Sequence, residues 1–191
     1  LLHHKIPLDI EPQQELFEAM RYSLLAGGKR LRPVFVFDFC RICGGKWQDA
    51  APFAAAVEMI HTYSLIHDDL PAMDDDAFRR GKPTNHKVYG EGMAILAGDG
   101  LLNMAYETML EADITREKPA QAVAAMAEIA RRAGVRGMIA GQTLDVSLEG
   151  AMPKKEYVEY IHEHKTADLL TAPVVAGLML AGADENQLEA G

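Results

Sequence analysis

Apolar side chains along this chain recur every three or four residues, and no stretch keeps up the apolar and polar alternation that a half-buried strand requires. The pattern predicts an all-α fold. Residues 11–33, "EPQQELFEAMRYSLLAGGKRLRP", read as a helix ended by Gly27 and Gly28, with Pro33 in the first turn of the next. That second helix runs to about Ile42 and stops near Gly44 and Gly45. A long apolar helix follows over 48–69, interrupted by Pro71, and a loop continues to about Thr84. Further helices are expected over 91–112, 118–133, 135–148 and 154–181, with a bend at Pro173, and "ADENQLEAG" reads as a polar connection toward another helix. Two segments, "AAAVEMIHTYSLI" and "LLTAPVVAGLMLAGA", are apolar around most of their circumference, which marks helices surrounded by others in a deep bundle.

Length and composition narrow the class. A chain of 191 residues fits one domain, and 49% hydrophobic with 25% charged residues describes an ordinary globular protein. No apolar run reaches the length of a membrane span. The net charge of −9 argues against general nucleic-acid binding, so a polyanionic ligand would need a local basic pocket or a metal. Cys40 and Cys43 form a single C-x-x-C, too few ligands for a structural zinc, and read as reduced thiols of a cytoplasmic protein. The chain begins at Leu1 without a methionine and ends abruptly, so both termini are expected to be incomplete.

Charge is most concentrated in "HDDLPAMDDDAFRRG", where five aspartates fall within residues 68–76 and two arginines follow. On a helix, His61, Ser64, Leu65 and Asp68 share one face. Carboxylates are hard ligands suited to Mg²⁺, which keeps several waters and shares its shell with phosphates. Arg79 and Arg80 are placed to grip a diphosphate whose other oxygens meet the metal. In "GGKRLRP", Lys29 and Arg32 are one helical turn apart, and "HKT" adds Lys165 and Thr166. Plainer readings exist: the acidic run as solvated surface or a calcium loop, "GGKRLRP" as a helix start, His162 and His164 as surface residues. An EF-hand is excluded, since the loop lacks its glycine and its closing glutamate.

Together these motifs resemble the trans-isoprenyl diphosphate synthases, most closely the bacterial farnesyl diphosphate synthases. "GGKRLRP", "HTYSLIHDDLPAMDDDAFRRGKPT", "ILAGDGLL", "GQTLDV" and "HKT" occur in that family's order and spacing, and "DDLPAMD" is similar to its first aspartate-rich motif. The resemblance implies the isoprenoid synthase fold, mostly antiparallel helices around a central cavity. It implies Mg²⁺, with Mn²⁺ as an alternative, on Asp68 and Asp74, and Asp69 oriented toward metal-bound water. It also implies an allylic diphosphate held by Arg79, Lys165 and Thr166, and isopentenyl diphosphate held by Lys29, Arg32, His61 and Arg80. Gln142 and Asp145, three apart on one helix face, match cavity-lining positions, where Asp145 orients Lys165; as a bare pattern they are an exposed polar pair.

The implied activity is head-to-tail condensation to farnesyl diphosphate, with a geranylgeranyl or other short-chain product as the alternative, in a cytoplasmic homodimer. Tyr63, five residues before Asp68 and roughly 7.5 Å deeper at the helical rise, with Ser64 beside it, is the candidate limit on product length. Family members carry a second aspartate-rich motif on a later helix; the chain is expected to lack that part, and these residues alone to be inactive. Two rivals stay open. An HD-type metal phosphohydrolase is prompted by His61, His67 and Asp68 but leaves the basic motifs without roles, and a non-catalytic synthase-like regulatory subunit would usually have lost the aspartate motif that is intact here.

Overall fold

The computed structural model describes residues 2, 5, 6, 11–150, 152 and 154–190. The described chain is helical almost throughout: α1 Gln14–Leu24, α2 Leu31–Ile42, α3 Trp47–Asp68, α4 Asn85–Tyr89, α5 Glu91–Leu110, α6 Asp113–Glu117, α7 Pro119–Ala133, α8 Met138–Ser147, α9 Lys155–Ile161, α10 Asp168–Ala181 and α11 Glu185–Ala190. No helix among the described residues is long and apolar enough to cross a membrane.

The helices group into two compact units: Leu1–Arg30 with Ala55–Thr108, and Leu31–Ala54 with Met109–Gly191. In the first, Ala19, Met20 and Leu24 of α1, Val57, Met59, Ile60 and Ile66 of α3, and Ala94, Ala97 and Leu101 of α5 are buried. Small residues on α5 admit larger neighbours. A side chain at Gly98 would meet the His67 ring, and one at Gly100 would meet Met20 Sδ at 3.0 Å. In the second unit α7 buries Ala122, Ala125, Ile129 and Ala133, a single amphipathic stripe. Its neighbour α10 is apolar all round and packs against both α2 and α7. The α10–α2 contact is close enough that a Cβ on Gly177 would lie 2.7 Å from Val36 O.

Four expectations need correction. The loop after Pro71 contains a short antiparallel hairpin, β1 Phe78–Arg79 with β2 Lys82–Pro83. Its two-residue turn, Arg80 and Gly81, has φ of +54° and +76°, a left-handed pair that alternation cannot reveal in so short a ladder. The helix expected over 91–112 ends at Leu110, and the next turn starts afresh at Asp113. The helix over 154–181 is broken by a π-helical stretch, His162–Ala167, ahead of Pro173, which lies inside α10. Finally, "ADENQLEAG" already contains α11: Gln187 N donates to Asp184 Oδ1 and Asp184 N to Gln187 Oε1, both at 2.9 Å, a reciprocal cap at the helix start.

Candidate functional site

Most of α3 is buried, but His61, Ser64, Leu65, His67 and Asp68 are half-buried, so the stripe read from the sequence is one the fold leaves open. Ser64 Oγ donates to His61 O at 2.9 Å. Beyond the helix end the chain turns back on itself: Met73 N and Asp75 N both donate to Leu70 O, at 2.9 and 3.1 Å, and Asp74 N donates to Asp68 O at 2.9 Å. That last bond fixes Asp74 beside Asp68, across the turn that Pro71 initiates.

Asp69 faces elsewhere. Only 3% exposed, its carboxylate accepts Arg79 Nε at 2.7 Å and pairs with Arg79 Nη2 at 2.6 Å, while Asp76 lies 3.5 Å from the same nitrogen. Burial pushes the Asp69 carboxyl up, against the pull of the Arg79 hydrogen bond. That bond, in turn, holds Arg79 more firmly protonated. Asp69, which the resemblance turns toward metal-bound water, is here paired with an arginine.

Arg80 leaves the hairpin turn and donates through Nη1 to Gly27 O. A Cβ on Gly28 would sit 2.7 Å from Arg80 Nη1 and would push that guanidinium aside, while the φ of +126° is what favours glycine here. Here "GGKRLRP" meets "RRGKPT". Lys29 and Arg32 do not share a helix face, because Arg30 at φ +53° interrupts the chain and α2 starts only at Leu31. Lys29 is exposed in the preceding loop.

Sequence reasoning missed the groups that anchor this loop and hairpin. Arg30 pairs with Glu58, which is 3% exposed and one helical turn before His61, and also donates to Leu24 O at 2.7 Å. Asn85 Nδ2 reaches Ala19 O and Ser23 Oγ, both at 2.8 Å, Tyr22 Oη donates to Pro83 O at 2.8 Å, and Thr84 Oγ1 donates to Asp76 O at 2.7 Å. A charged residue amid the apolar face of α3 was the available signal for Glu58; the partners of Asn85 and Tyr22 lie about sixty positions away and left none. A small pocket opens among Tyr22, Thr62, Leu65, Asp69, Arg79, Arg80 and Asn85.

The second unit holds the remaining candidates. Lys165 Nζ is 2.6 Å from Asp145 Oδ2, the pairing the resemblance implied. The π-helical stretch brings its backbone hard against α8, so that a Cβ on Gly141 would lie 2.2 Å from Lys165 N. Gln142 is half-buried one residue further on, and Thr166 is exposed. His162 is exposed, as a surface reading expects, but His164 bonds Asp168 at 2.7 Å and packs on Tyr160 with ring centroids 4.2 Å apart. On α2, Arg32 Nε donates to Leu169 O at 3.1 Å.

Among the described residues no three His, Cys, Asp or Glu side chains are grouped as a metal site. The donor chemistry nonetheless fits Mg²⁺: two carboxylate residues tied through one backbone bond match an ion usually held by one or two carboxylates, waters and substrate phosphates. Tyr63 is 7% exposed, stands edge-on to His67 with ring centroids 5.7 Å apart, and burial followed by the nearby Tyr106 pushes its phenol up to about 12. It is neutral at any physiological pH.

An all-α fold with a paired-aspartate helix end beside an arginine hairpin is the arrangement observed, and comparison places the chain within one family. The polyprenyl synthetase family model matches residues 13–190, and the chain belongs to that family. It is 51% identical over 181 residues to the chloroplastic heterodimeric geranylgeranyl pyrophosphate synthase large subunit 1 of Arabidopsis thaliana, covering 92% of this chain and 48% of the relative. It is 50% identical over 178 residues to the farnesyl diphosphate synthase of Geobacillus stearothermophilus, covering 93% and 60%. The apo crystal structure of an FPP/GFPP synthase from Zymomonas mobilis superposes with a TM-score of 0.93 at 34% identity, over 98% of this chain and 68% of that one. The chain spans about half the length of the curated relatives it matches.

Proposed function

We propose that the protein is a trans-prenyl diphosphate synthase, joining isopentenyl diphosphate head-to-tail to an allylic diphosphate, dimethylallyl or geranyl. The observation that carries this reading is the backbone bond from Asp74 N to Asp68 O, which ties the two aspartates together at the end of α3. Asp69 there holds Arg79 of the neighbouring hairpin.

In this reading Asp68 and Asp74 hold Mg²⁺, or Mn²⁺ in its place. When bound, the metal neutralises charge developing on the departing diphosphate. Arg79, oriented by Asp69, and Lys165, oriented by Asp145, grip the allylic diphosphate together with Thr166. Lys29, Arg32, His61 and Arg80 take isopentenyl diphosphate, while Gln142 and Asp145 line the site. The allylic C–O bond breaks with its electron pair on the diphosphate, and the double bond of isopentenyl diphosphate attacks the cation. A proton then passes to the released diphosphate. Fixed cations aimed at that leaving group stabilise the transition state more than mobile ones would, because they need no reorganisation as charge develops.

Tyr63 supports a farnesyl product. A buried, neutral ring five residues before Asp68 suits the wall of an apolar cavity that stops the growing chain. The geranylgeranyl synthases among the relatives favour the longer product as the second reading. Assembly as a cytoplasmic homodimer belongs to the same proposal, and the free thiols Cys40 and Cys43 are compatible with a reducing compartment.

The test uses the full-length protein. Diphosphate release should require Mg²⁺ and both prenyl substrates, and Asp68→Ala should abolish it while leaving the melting temperature within a degree or two. Turnover surviving in Asp68→Ala, or release with one substrate alone, would defeat the reading. On the same material Tyr63→Ala should lengthen the product seen by chromatography; an unchanged length removes Tyr63 as the limit.

A further inference from the structure

Proline inside a helix withholds one backbone N–H and crowds the carbonyl four residues before it. In α10 that residue is Pro173 and the carbonyl is that of Leu169. The carbonyl thereby loses its regular i+4 donor, and it is enclosed: Leu169 is 1% exposed and Pro173 is buried. A buried acceptor left in this state is costly and needs a partner from elsewhere. Arg32 Nε, 137 positions away in sequence, provides it at 3.1 Å. The contact is seated by the α10–α2 packing, where Gly177 brings the backbone of α10 against Val36 and Cys40, four and eight residues along α2 from Arg32.

The arrangement joins two features that are separately unfavourable or undirected. A proline is among the least favourable residues for a helix interior, and a long arginine side chain loses rotamer entropy when it is ordered. Committing Nε to one carbonyl fixes the plane of the guanidinium, the property on which bidentate recognition of a phosphate group depends. Leu169 also lies one turn past Lys165 on the same helical run.

We propose that Pro173 is a positioning residue for the isopentenyl diphosphate site: by withholding its N–H it reserves the Leu169 carbonyl for Arg32 and sets the orientation of that guanidinium. This rests on the reading above that Arg32 holds isopentenyl diphosphate. Pro173→Ala restores a competing helical donor, so it should stiffen α10 and release Arg32 together. Stability and substrate affinity then move in opposite directions, which a merely structural proline would not produce.

The experiment compares wild-type and Pro173→Ala full-length protein by thermal melting, steady-state kinetics and arginine Nε–H NMR, with Arg32→Lys to assign the Arg32 signal. The expected result is a higher melting temperature, loss of protection at the Arg32 Nε–H, and a KM for isopentenyl diphosphate raised roughly two- to tenfold, the loss of one hydrogen bond. kcat and the KM for the allylic substrate should be unchanged. A protected Arg32 signal that persists in Pro173→Ala, or an unchanged KM alongside the higher melting temperature, overturns the proposal. If the wild type turns over no pair of prenyl substrates, the parent reading fails instead, and the NMR comparison alone still decides whether Pro173 orients Arg32.

Discussion

Replacing Glu58 by alanine probes the anchor beneath the whole basic loop. Glu58 is 3% exposed and pairs with Arg30, whose side chain is 25% exposed and also donates to Leu24 O. Removing one partner of a buried ion pair typically costs about 3–5 kcal/mol, because the other is left uncompensated. Arg30 keeps its bond to Leu24 O and reaches some solvent, so the cost falls at or just below the lower end of that range, about 2–3 kcal/mol. At roughly 2–4 °C per kcal/mol for a domain of this size, the melting temperature should fall by about 4–12 °C. The physical content lies in the companion variant: Glu58→Ala with Arg30→Met should be less destabilised than Glu58→Ala alone, since no charge is then stranded. Differential scanning calorimetry of both variants and the double mutant gives the cycle. A loss below about 1 °C, or strictly additive losses, would refute the reasoning. The consequence reaches the site as well, because Arg30 ends the loop whose Gly27 carbonyl receives Arg80.

Gly28→Ala forces a Cβ to within 2.7 Å of Arg80 Nη1 at a φ of +126°; backbone strain of roughly 1–3 kcal/mol should lower the melting temperature, and displacement of Arg80 should raise the KM for isopentenyl diphosphate. Normal values of both would mean that the loop and Arg80 adjust freely. Glu128 provides a pH test. Burial pushes its carboxyl up, but hydrogen bonds from Arg132 and Arg131 overcome this and hold it below its usual 4.5. A depressed folded-state value contributes stability that is present above 4.5 and lost as pH falls through the folded value. Glu128→Gln should accordingly melt lower than wild type at pH 7, with the gap narrowing toward pH 3 in a series of melts; a gap independent of pH would exclude the linkage.

How far the site was legible in the sequence follows from how local each interaction is. The helix ends at Ile42 and near Asp68 were readable because glycine and proline act on their immediate neighbours. The stripe of His61, Ser64 and Asp68 needed only helical spacing, and it is half-buried on a helix most of whose residues are buried. Lys165 with Asp145 came from the resemblance, and the side chains meet at 2.6 Å. The Lys29–Arg32 face failed because helical spacing was carried across Arg30, which lies in left-handed backbone outside α2. The π-helical stretch was invisible for a related reason: it answers to the α8 backbone at Gly141, and nothing in "HEHKTA" itself announces that contact.

The residue order alone determined that the chain is helical, the helix ends that glycine and proline mark, and which carboxylates and cations stand near one another along the chain, since each of these arises from spacing within a turn or two. Only the tertiary structure decided which partner each charge takes. Arg30 goes to Glu58, Arg79 to Asp69, Arg80 to Gly27 O and Arg32 to Leu169 O. A guanidinium binds any acceptor within reach, and three of these four acceptors come from 28 to 137 positions away. Packing of whole helices chooses among them.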